Sequence, residues 1–429
     1  MMLSYEECVE YINNIPKYAK CVSLEDTNKI MNMLTGGKSV PKIIHVAGTN
    51  GKGSVCAYLA SILRKAGKSV GMFTSPHLVD MRERISLDGK LISKEEFVEH
   101  FHKVKDAIEN KPINYFTYLF LLAMSYYCQE NPDYLILETG LGGRLDATNS
   151  VKDKCLTVIS EIGFDHMQVL GDTIEKIAGE KAGIVRKDTP LVFINKRKEA
   201  ADVILAANEE AGNTIDNCYI LDYKDIHISE ESADYLTYCL DNNYVHIDNI
   251  RLNTVARYQC ENASLAIMGI KALNENISDE TIREGLEAMH WPGRMEKIAE
   301  GIYIDGAHNE DGIQAMLDTV SHMEGKKKLI FAVVSDKDYE VMIRSIVGSQ
   351  AFDYVMVTTT GQDRKTDADM IKNIFVKEAK DSGIDDLKVT TCKGAKEALE
   401  AMKEEGYKVI ITGSLYLVAD IKRALQGAL

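Results

Sequence analysis

The sequence predicts an α/β protein: a P-loop-containing, mostly parallel sheet domain followed by a smaller, Rossmann-like α/β C-terminal domain. Three observations predict it. Short apolar runs without polar alternation are joined by helix-patterned segments, as in parallel strands covered on both faces. The first run breaks into a glycine-rich turn with one lysine, Gly48-Thr49-Asn50-Gly51-Lys52-Gly53-Ser54, directly before a helix-forming segment. Pro292-Gly293 then interrupts the chain, and a second strand and helix series begins after it.

Residues 1–40 read as helix then loop, ending at Gly36-Gly37, and are expected to cover the first strand. Lys42 to Ala47 is that strand, Ser54 to Ala66 carries apolar residues at helical spacing with Gly67 as its cap, and Ser69 to Phe73 returns to strand. Tyr115 to Gln129 is an apolar and aromatic helix. Asp133 to Leu137 is a buried strand that stops at Glu138, Leu156 to Ser160 another, and Pro190 to Ile194 a third, with a helix over Thr173 to Ala182. From about 215 to 256 the pattern weakens into short strand-like pieces, with 228–236 polar and without a period. Helices follow over Asn262 to Leu273 and Ser278 to Met289, the second opened by a Ser-Asp-Glu capping signal. Beyond the Pro-Gly break the strands are Ile302 to Asp305, Lys328 to Val334, Asp353 to Val357, Leu387 to Val389 and Lys408 to Thr412. The expected domains are therefore 1–292 and 293–429.

Composition limits the function. A chain of 429 residues with 45% hydrophobic content suits two or three globular domains. No apolar stretch reaches membrane-span length, and the opening Met1-Met-Leu-Ser-Tyr-Glu-Glu lacks the basic start of a signal peptide, so the expected location is cytoplasmic. Nine scattered cysteines without a Cys-x-x-Cys pair indicate neither a disulfide framework nor a zinc knuckle. A net charge of −15 argues against nucleic acid as a partner, because a duplex binder needs a basic face.

The glycine-rich turn is expected to hold a nucleotide triphosphate. Glycines let backbone N–H groups curl inward, Lys52 supplies a mobile cation, and Ser54 offers a hydroxyl for magnesium. The turn departs from the standard phosphate loop, with Val46 where its first glycine belongs and Gly53 between the lysine and the serine. Glu138 closes a buried strand and is followed by Thr139-Gly-Leu-Gly-Gly143-Arg144, which suits a magnesium-holding group or a strand-end acid satisfied by backbone N–H groups. His166, past another strand, is a ligand or a structural histidine. Lys181 is a solvated or ion-paired lysine, unless a carbamate formed with carbon dioxide makes it an oxygen ligand. Asp305-Gly-Ala-His308-Asn309 again follows a strand, as a site segment or as a polar turn capping the next helix.

Taken together, these segments resemble the folylpolyglutamate synthase and dihydrofolate synthase family of the Mur ligase superfamily. The resemblance runs from about Ala47 to Leu417. It rests on the 48–54 loop, Ser75-Pro-His-Leu78 with Glu83-Arg-Ile85, Glu138 through Asn149, Glu180-Lys-Ala-Gly-Ile184, Pro292-Gly-Arg294, Asp305 through Asn309, and Thr412-Gly-Ser-Leu-Tyr-Leu417. It implies a first domain of the Mur ligase central-domain type and ATP-dependent amide formation between a pterin-bearing carboxylate and L-glutamate through an acyl phosphate. It implies that Thr49, Asn50, Gly51, Lys52, Gly53 and Ser54 hold the triphosphate, with Asn262, Arg294 and Asp305 as further nucleotide contacts. Ser75, Glu138 and His166 match magnesium ligands, joining Ser54 of the turn, and Lys181 matches a lysine that is carbamylated. Asn114, Tyr115, Phe116, Thr117 and Leu145 match the dihydropteroate pocket. Lys52, Lys181 and His308 are the candidate catalytic groups, His308 or Asp305 taking the amine's proton, with closure of the second domain expected to assemble the site. The expected partners are small molecules, ATP, L-glutamate and a folate or dihydropteroate, with no nucleic acid and no membrane, and a monomer is the default expectation. Three positions depart from the family pattern: Thr117 replaces an acid, Tyr258 a histidine, and Glu310 a proline. Alternatives are a Mur-type amino-acid ligase with another carboxylate substrate, or a nucleotide-dependent switch.

Overall fold

The computed structural model describes residues 3–16, 22–37, 41–109, 111–361, 366–384 and 386–426. The chain divides into two compact units: residues 1–228, 238–251 and 261–289 form the first, and 229–237, 252–260 and 290–429 the second.

The first unit is built on an eight-stranded sheet. Its strands are β1 (Lys42–Ala47), β2 (Val70–Phe73), β3 (Ile85–Leu87), β4 (Lys90–Leu91), β5 (Tyr134–Glu138), β6 (Leu156–Ile159), β7 (Leu191–Ile194) and β8 (Cys218–Leu221). In space they run β4-β3-β2-β5-β1-β6-β7-β8, with β2, β5, β1, β6, β7 and β8 parallel and β3 and β4 added antiparallel at one edge. Every residue of β5, β6 and β7 is buried, which explains the unalternated apolar runs: both faces carry helices. The chain leaves β1 toward β2 on one side and later returns to build β6, β7 and β8 on the other. A reversal of this kind opens a crevice at the carboxyl ends of the strands.

One face is covered by the helix Tyr115–Glu130, of which 13 of 16 residues are buried; a helix apolar all round has to be enclosed. It packs with the helix Lys94–Ile108 and with Cys8, Ile12, Ile30 and Met31 of two N-terminal helices in one core cluster. A second cluster joins Ile159, Phe193 and Leu191 to the helices Ile174–Ala182 and Lys198–Glu210.

The N-terminal reading is corrected here. Residues 5–35 hold two helices, Tyr5–Asn13 and Leu24–Thr35, each capped by a serine that accepts from a backbone N–H. They cover helices of the 94–130 region rather than lying over the first strand alone. Residues 1–2, 17–21 and 38–40 of the same stretch lie outside the described residues. The 228–236 stretch also gains structure: β9 (Ile226–Glu231), β10 (Leu236–Asp241) and β11 (His246–Leu252) form a small sheet in the order β11-β10-β9. Its exposed positions are polar, so the hydrophobic period was too weak to read.

The second unit contains β12 (Glu296–Ala299), β13 (Ile302–Ile304), β14 (Lys326–Phe331), β15 (Tyr354–Val357), β16 (Lys388–Thr391) and β17 (Tyr407–Thr412). They are ordered β12-β13-β17-β14-β15-β16, parallel except for the β12–β13 pair. The helices Glu310–His322, Tyr339–Ser349 and Ala368–Asp381 bury Ile313, Met316, Ile343, Ile346, Ile371 and Phe375 against the central strands.

Candidate active site

Five adjacent strands of the first unit end at one sheet edge. There β5 ends on Glu138, and the segments after β2, β1, β6 and β7 carry Ser75, the 48–54 turn, Ser160 to His166, and Lys196. Register fixes the level: Val46 lies opposite Glu138, and the N–H of Thr139 donates to the Val46 carbonyl at 2.9 Å.

The glycine-rich turn is held from both sides. The N–H of Thr49 donates to the Glu161 carbonyl at 2.7 Å, its hydroxyl lies 3.0 Å from the Gly163 carbonyl, and the Ser160 hydroxyl donates to the Asn50 carbonyl at 2.7 Å. Two glycines are required by geometry. Gly48 has φ +151°, and a Cβ there would meet the Ser160 Oγ at 1.9 Å; Gly51 has φ +85°, and a Cβ would meet the Asn262 Oδ1 at 2.2 Å. Asn262, on the helix Tyr258–Ala272, is thereby brought against the turn. The helix Lys52–Lys65 begins directly after Gly51, and Ser54 in its first turn is buried. Its N-terminal N–H groups and positive dipole end suit phosphate oxygens.

Lys52 and Lys181 meet at one acceptor. The Lys52 Nζ donates to the carbonyls of Gly48 at 3.1 Å and Thr49 at 3.0 Å, and the Lys181 Nζ donates to the Gly48 carbonyl at 2.6 Å. Lys181, on the helix Ile174–Ala182, is 4% exposed and so is not solvated, and no salt bridge from it to a carboxylate is found among the described residues. Burial, with the charge of Lys52 adding to it, lowers its pKa to about 7.

Glu138 is 3% exposed and its Oε2 accepts the Ser75 N–H at 2.7 Å, which joins the ends of β5 and β2. Glu83 ties the 75–78 and 83–85 motifs together. Its carboxylate accepts the N–H groups of Leu78, Val79 and Asp80 at 2.7, 2.9 and 2.8 Å and so shapes the loop that carries Ser75. His166 has left-handed backbone (φ 50°) before the short helix Met167–Leu170, with its Nε2 3.9 Å from Asp165.

In the segment expected to form the pterin pocket, Asn114 caps the helix Tyr115–Glu130 by accepting the Thr117 N–H at 2.8 Å, and Thr117 is buried. Phe116 packs on Gly140, where a Cβ would meet its ring at 2.5 Å, and Tyr115 lies under the Arg84 guanidinium, 5.5 Å from the ring centroid. The loop after Glu138 is shaped by buried Asp146, which accepts the Gly140 and Leu141 N–H groups at 2.9 Å each. Leu145, in the same loop, is 78% exposed and does not pack with the others.

In the second unit, Asp305 follows β13 and is buried. Its Oδ2 accepts the Tyr258 hydroxyl at 2.6 Å and the Met295 N–H at 2.9 Å, and its Oδ1 accepts the Ala307 N–H at 2.8 Å. Burial pushes its pKa up, against the pull of Arg294 and these donors. The Arg294 Nη1 donates to the Gly293 carbonyl at 2.9 Å. The His308 Nδ1 lies 2.7 Å from the Gly306 carbonyl, and Asn309 caps the helix Glu310–His322.

Sequence reasoning missed Lys196. Its Nζ lies 2.9 Å from carboxylate oxygens of both Glu161 and Glu261, while the Asn50 Nδ2 donates to Glu161 at 3.3 Å. Burial works against its charge, yet Glu261 and Glu161 hold the ammonium above its ordinary range. Its position two residues past β7, as Glu161 is two past β6, was the available signal.

Comparison with known proteins follows this geometry. Residues 46–269 match the Mur ligase middle domain, and residues 293–415 match the Mur ligase, glutamate ligase domain. The chain is 32% identical to the dihydrofolate synthase/folylpolyglutamate synthase of Bacillus subtilis, over 99% of this chain and 100% of that protein. It is 29% identical to the folylpolyglutamate synthase of Lacticaseibacillus casei, over 99% of both. Among solved structures it matches E. coli FolC in complex with DHPP and ADP with a TM-score of 0.86 at 25% identity, covering 99% of this chain and 98% of that one. The folylpolyglutamate synthase of Thermotoga maritima matches with a TM-score of 0.82 at 28% identity, covering 99% and 97%.

Proposed function

Because the chain belongs to the folylpolyglutamate synthase and dihydrofolate synthase family of the Mur ligase superfamily, we propose that it joins L-glutamate to a folate-type carboxylate with ATP, through an acyl phosphate, and also forms dihydrofolate from 7,8-dihydropteroate. The observation that carries this reading is the convergence of the 48–54 turn, Ser75, Glu138 and Lys181 on one sheet edge. ATP is the co-substrate. The finer assignments, magnesium and a carbamate on Lys181, belong to the same proposal, as do a cytoplasmic location and a monomeric state.

The donor set suits magnesium. The Ser54 and Ser75 hydroxyls and the Glu138 carboxylate offer hard oxygens near the phosphate turn, with the His166 imidazole as a fourth group. When bound, the ion neutralises phosphate charge and orients the terminal phosphoryl group. The remaining work falls to the chain. Bringing a carboxylate to a triphosphate sets like charges together, and Lys52 and Arg294 offset that repulsion. Asn262 and the turn's N–H groups hold the nucleotide. No base is needed for phosphoryl transfer, since the attacking carboxylate is already ionised.

A carbamate forms only on a neutral amine. Lys181, with its pKa lowered to about 7, supplies that amine near neutrality, whereas an ordinary lysine is almost wholly protonated there. The carbamate would then be an oxygen ligand beside Gly48. Amide formation needs a neutral glutamate amine. In neutral His308 the Gly306 carbonyl fixes the proton on Nδ1, so Nε2 carries the lone pair that accepts the amine's proton.

The direct test is coupling. ADP release should depend on glutamate and on the pterin acid together; ADP release unchanged when glutamate is omitted would instead indicate a nucleotide-dependent switch.

A further inference from the structure

The small sheet of β9, β10 and β11 has no part in the chemistry above, yet one of its faces gathers ligand-bearing side chains. Along β10, Leu236, Tyr238 and Leu240 are buried, and the alternate positions Cys239 and Asp241 turn outward. Along β11, Ile247 and Ile250 are buried while His246 and Asp248 are exposed. Because side chains alternate across a strand, the four outward groups share one face of the hairpin.

Their spacing fits a metal. The ligand atoms of Cys239, His246 and Asp248 all lie within 4.8 Å of one another. The His246 Nε2 is 3.0 Å from the Asp248 Oδ2. Two nitrogen or oxygen ligands of a tetrahedral zinc ion, each about 2.0 Å from the metal, sit about 3.3 Å apart. The other ring nitrogen, Nδ1, is 3.1 Å from the Asp241 Oδ1, the placement of an outer carboxylate that orients a metal-bound histidine. Thiolate, imidazole and carboxylate together select a borderline cation over magnesium, which prefers oxygen ligands throughout.

We propose that Cys239, His246 and Asp248 form a binding site for a zinc-class divalent cation, with Asp241 orienting His246 and solvent supplying the fourth ligand. On binding, the Cys239 thiol loses its proton to solvent and the sulfur takes the metal. The proposal is independent of the ligase reading.

Cobalt(II) is the probe, because a thiolate on cobalt gives a near-ultraviolet charge-transfer band. Ser54, Ser75, Glu138 and His166 contain no sulfur and give none. The full chain, titrated with cobalt, should develop the band to one equivalent, and one equivalent of zinc should bleach it. Cys239→Ser should lack the band while keeping wild-type ligase turnover. His246→Gln should weaken binding, and Asp241→Asn should weaken it about 10–100-fold. No thiolate band in the wild-type chain, or a band that survives Cys239→Ser, would overturn the proposal.

Discussion

Lys181 and Lys52 donate to the same carbonyl oxygen, that of Gly48, at 2.6 and 3.1 Å. Two lysines on one acceptor oppose each other's charge, and burial, with the charge of Lys52 adding to it, lowers the pKa of Lys181. The pairing links the phosphate turn to the lysine that the reading assigns to carbamylation. Lys181→Ala should lose most ligase activity, about 100-fold or more by analogy with the loss of other charge-stabilising groups, with partial recovery in short-chain carboxylic acids. Full activity in the variant would return Lys181 to a purely structural part.

The pH dependence follows from the same group. Its folded pKa of about 7 lies below the ordinary 10.5, so the fold opposes its charge. Below about pH 7 that penalty is fully present, and it is relieved as pH rises from about 7 toward 10.5. Wild-type thermal stability, measured relative to Lys181→Met, should therefore rise over that window. Bicarbonate-dependent activity should fall as pH drops below about 7, and a flat profile for both would contradict the lowered pKa.

Lys196 separates two carboxylates, the half-buried Glu161 and the buried Glu261, and Glu161 in turn holds Asn50 of the turn. Lys196→Met leaves those two charges facing each other without compensation. KM for ATP should rise about tenfold, close to 1.4 kcal/mol, while KM for the pterin acid stays near wild type. A change confined to the acid substrate would count against this placement.

Glu138→Gln keeps the side chain's size and an acceptor for the Ser75 N–H, and it removes the charge. Magnesium titrations of activity should shift to higher concentration by about tenfold or more, with kcat reduced even at saturation. An unchanged magnesium requirement would remove Glu138 from the metal set.

The sheet core and the glycine-rich turn before the helix Lys52–Lys65 were legible because their signals are local and redundant. β1 falls at Lys42–Ala47 as read, and the strands ending at Glu138 and Ile194 shift by one residue at the start. The unalternated apolar runs reflect burial on both faces of the sheet, and the glycines at 48 and 51 reflect backbone conformations that few residues adopt. The helices Leu24–Thr35 and Lys94–Ile108 escaped because their exposed faces are densely polar, with only four and five buried residues respectively to mark the period. Glu161 and Lys196 escaped for a different reason: each acts through a partner distant in sequence, which no single segment displays. Tyr258 was noticed only as a departure from the family pattern; its hydroxyl bond to Asp305 gives the substitution a physical purpose.

The proposed function places Thr117 in the pocket for the acid substrate. It is buried in the first turn of the helix Tyr115–Glu130, next to Phe116, which packs on Gly140. Thr117→Asp should change kcat/KM between dihydropteroate and reduced folate by several-fold and leave the ATP dependence alone. An equal effect on both acids would show that the position is structural.

The most direct test of the central claim is mass spectrometry of the products formed by the purified protein with ATP, Mg²⁺ and L-glutamate, given 7,8-dihydropteroate in one reaction and a reduced folate in the other. The account predicts a glutamylated product from each, with one ADP released per amide formed. No glutamylated product from either acid, with ATP hydrolysed regardless of glutamate, would contradict it.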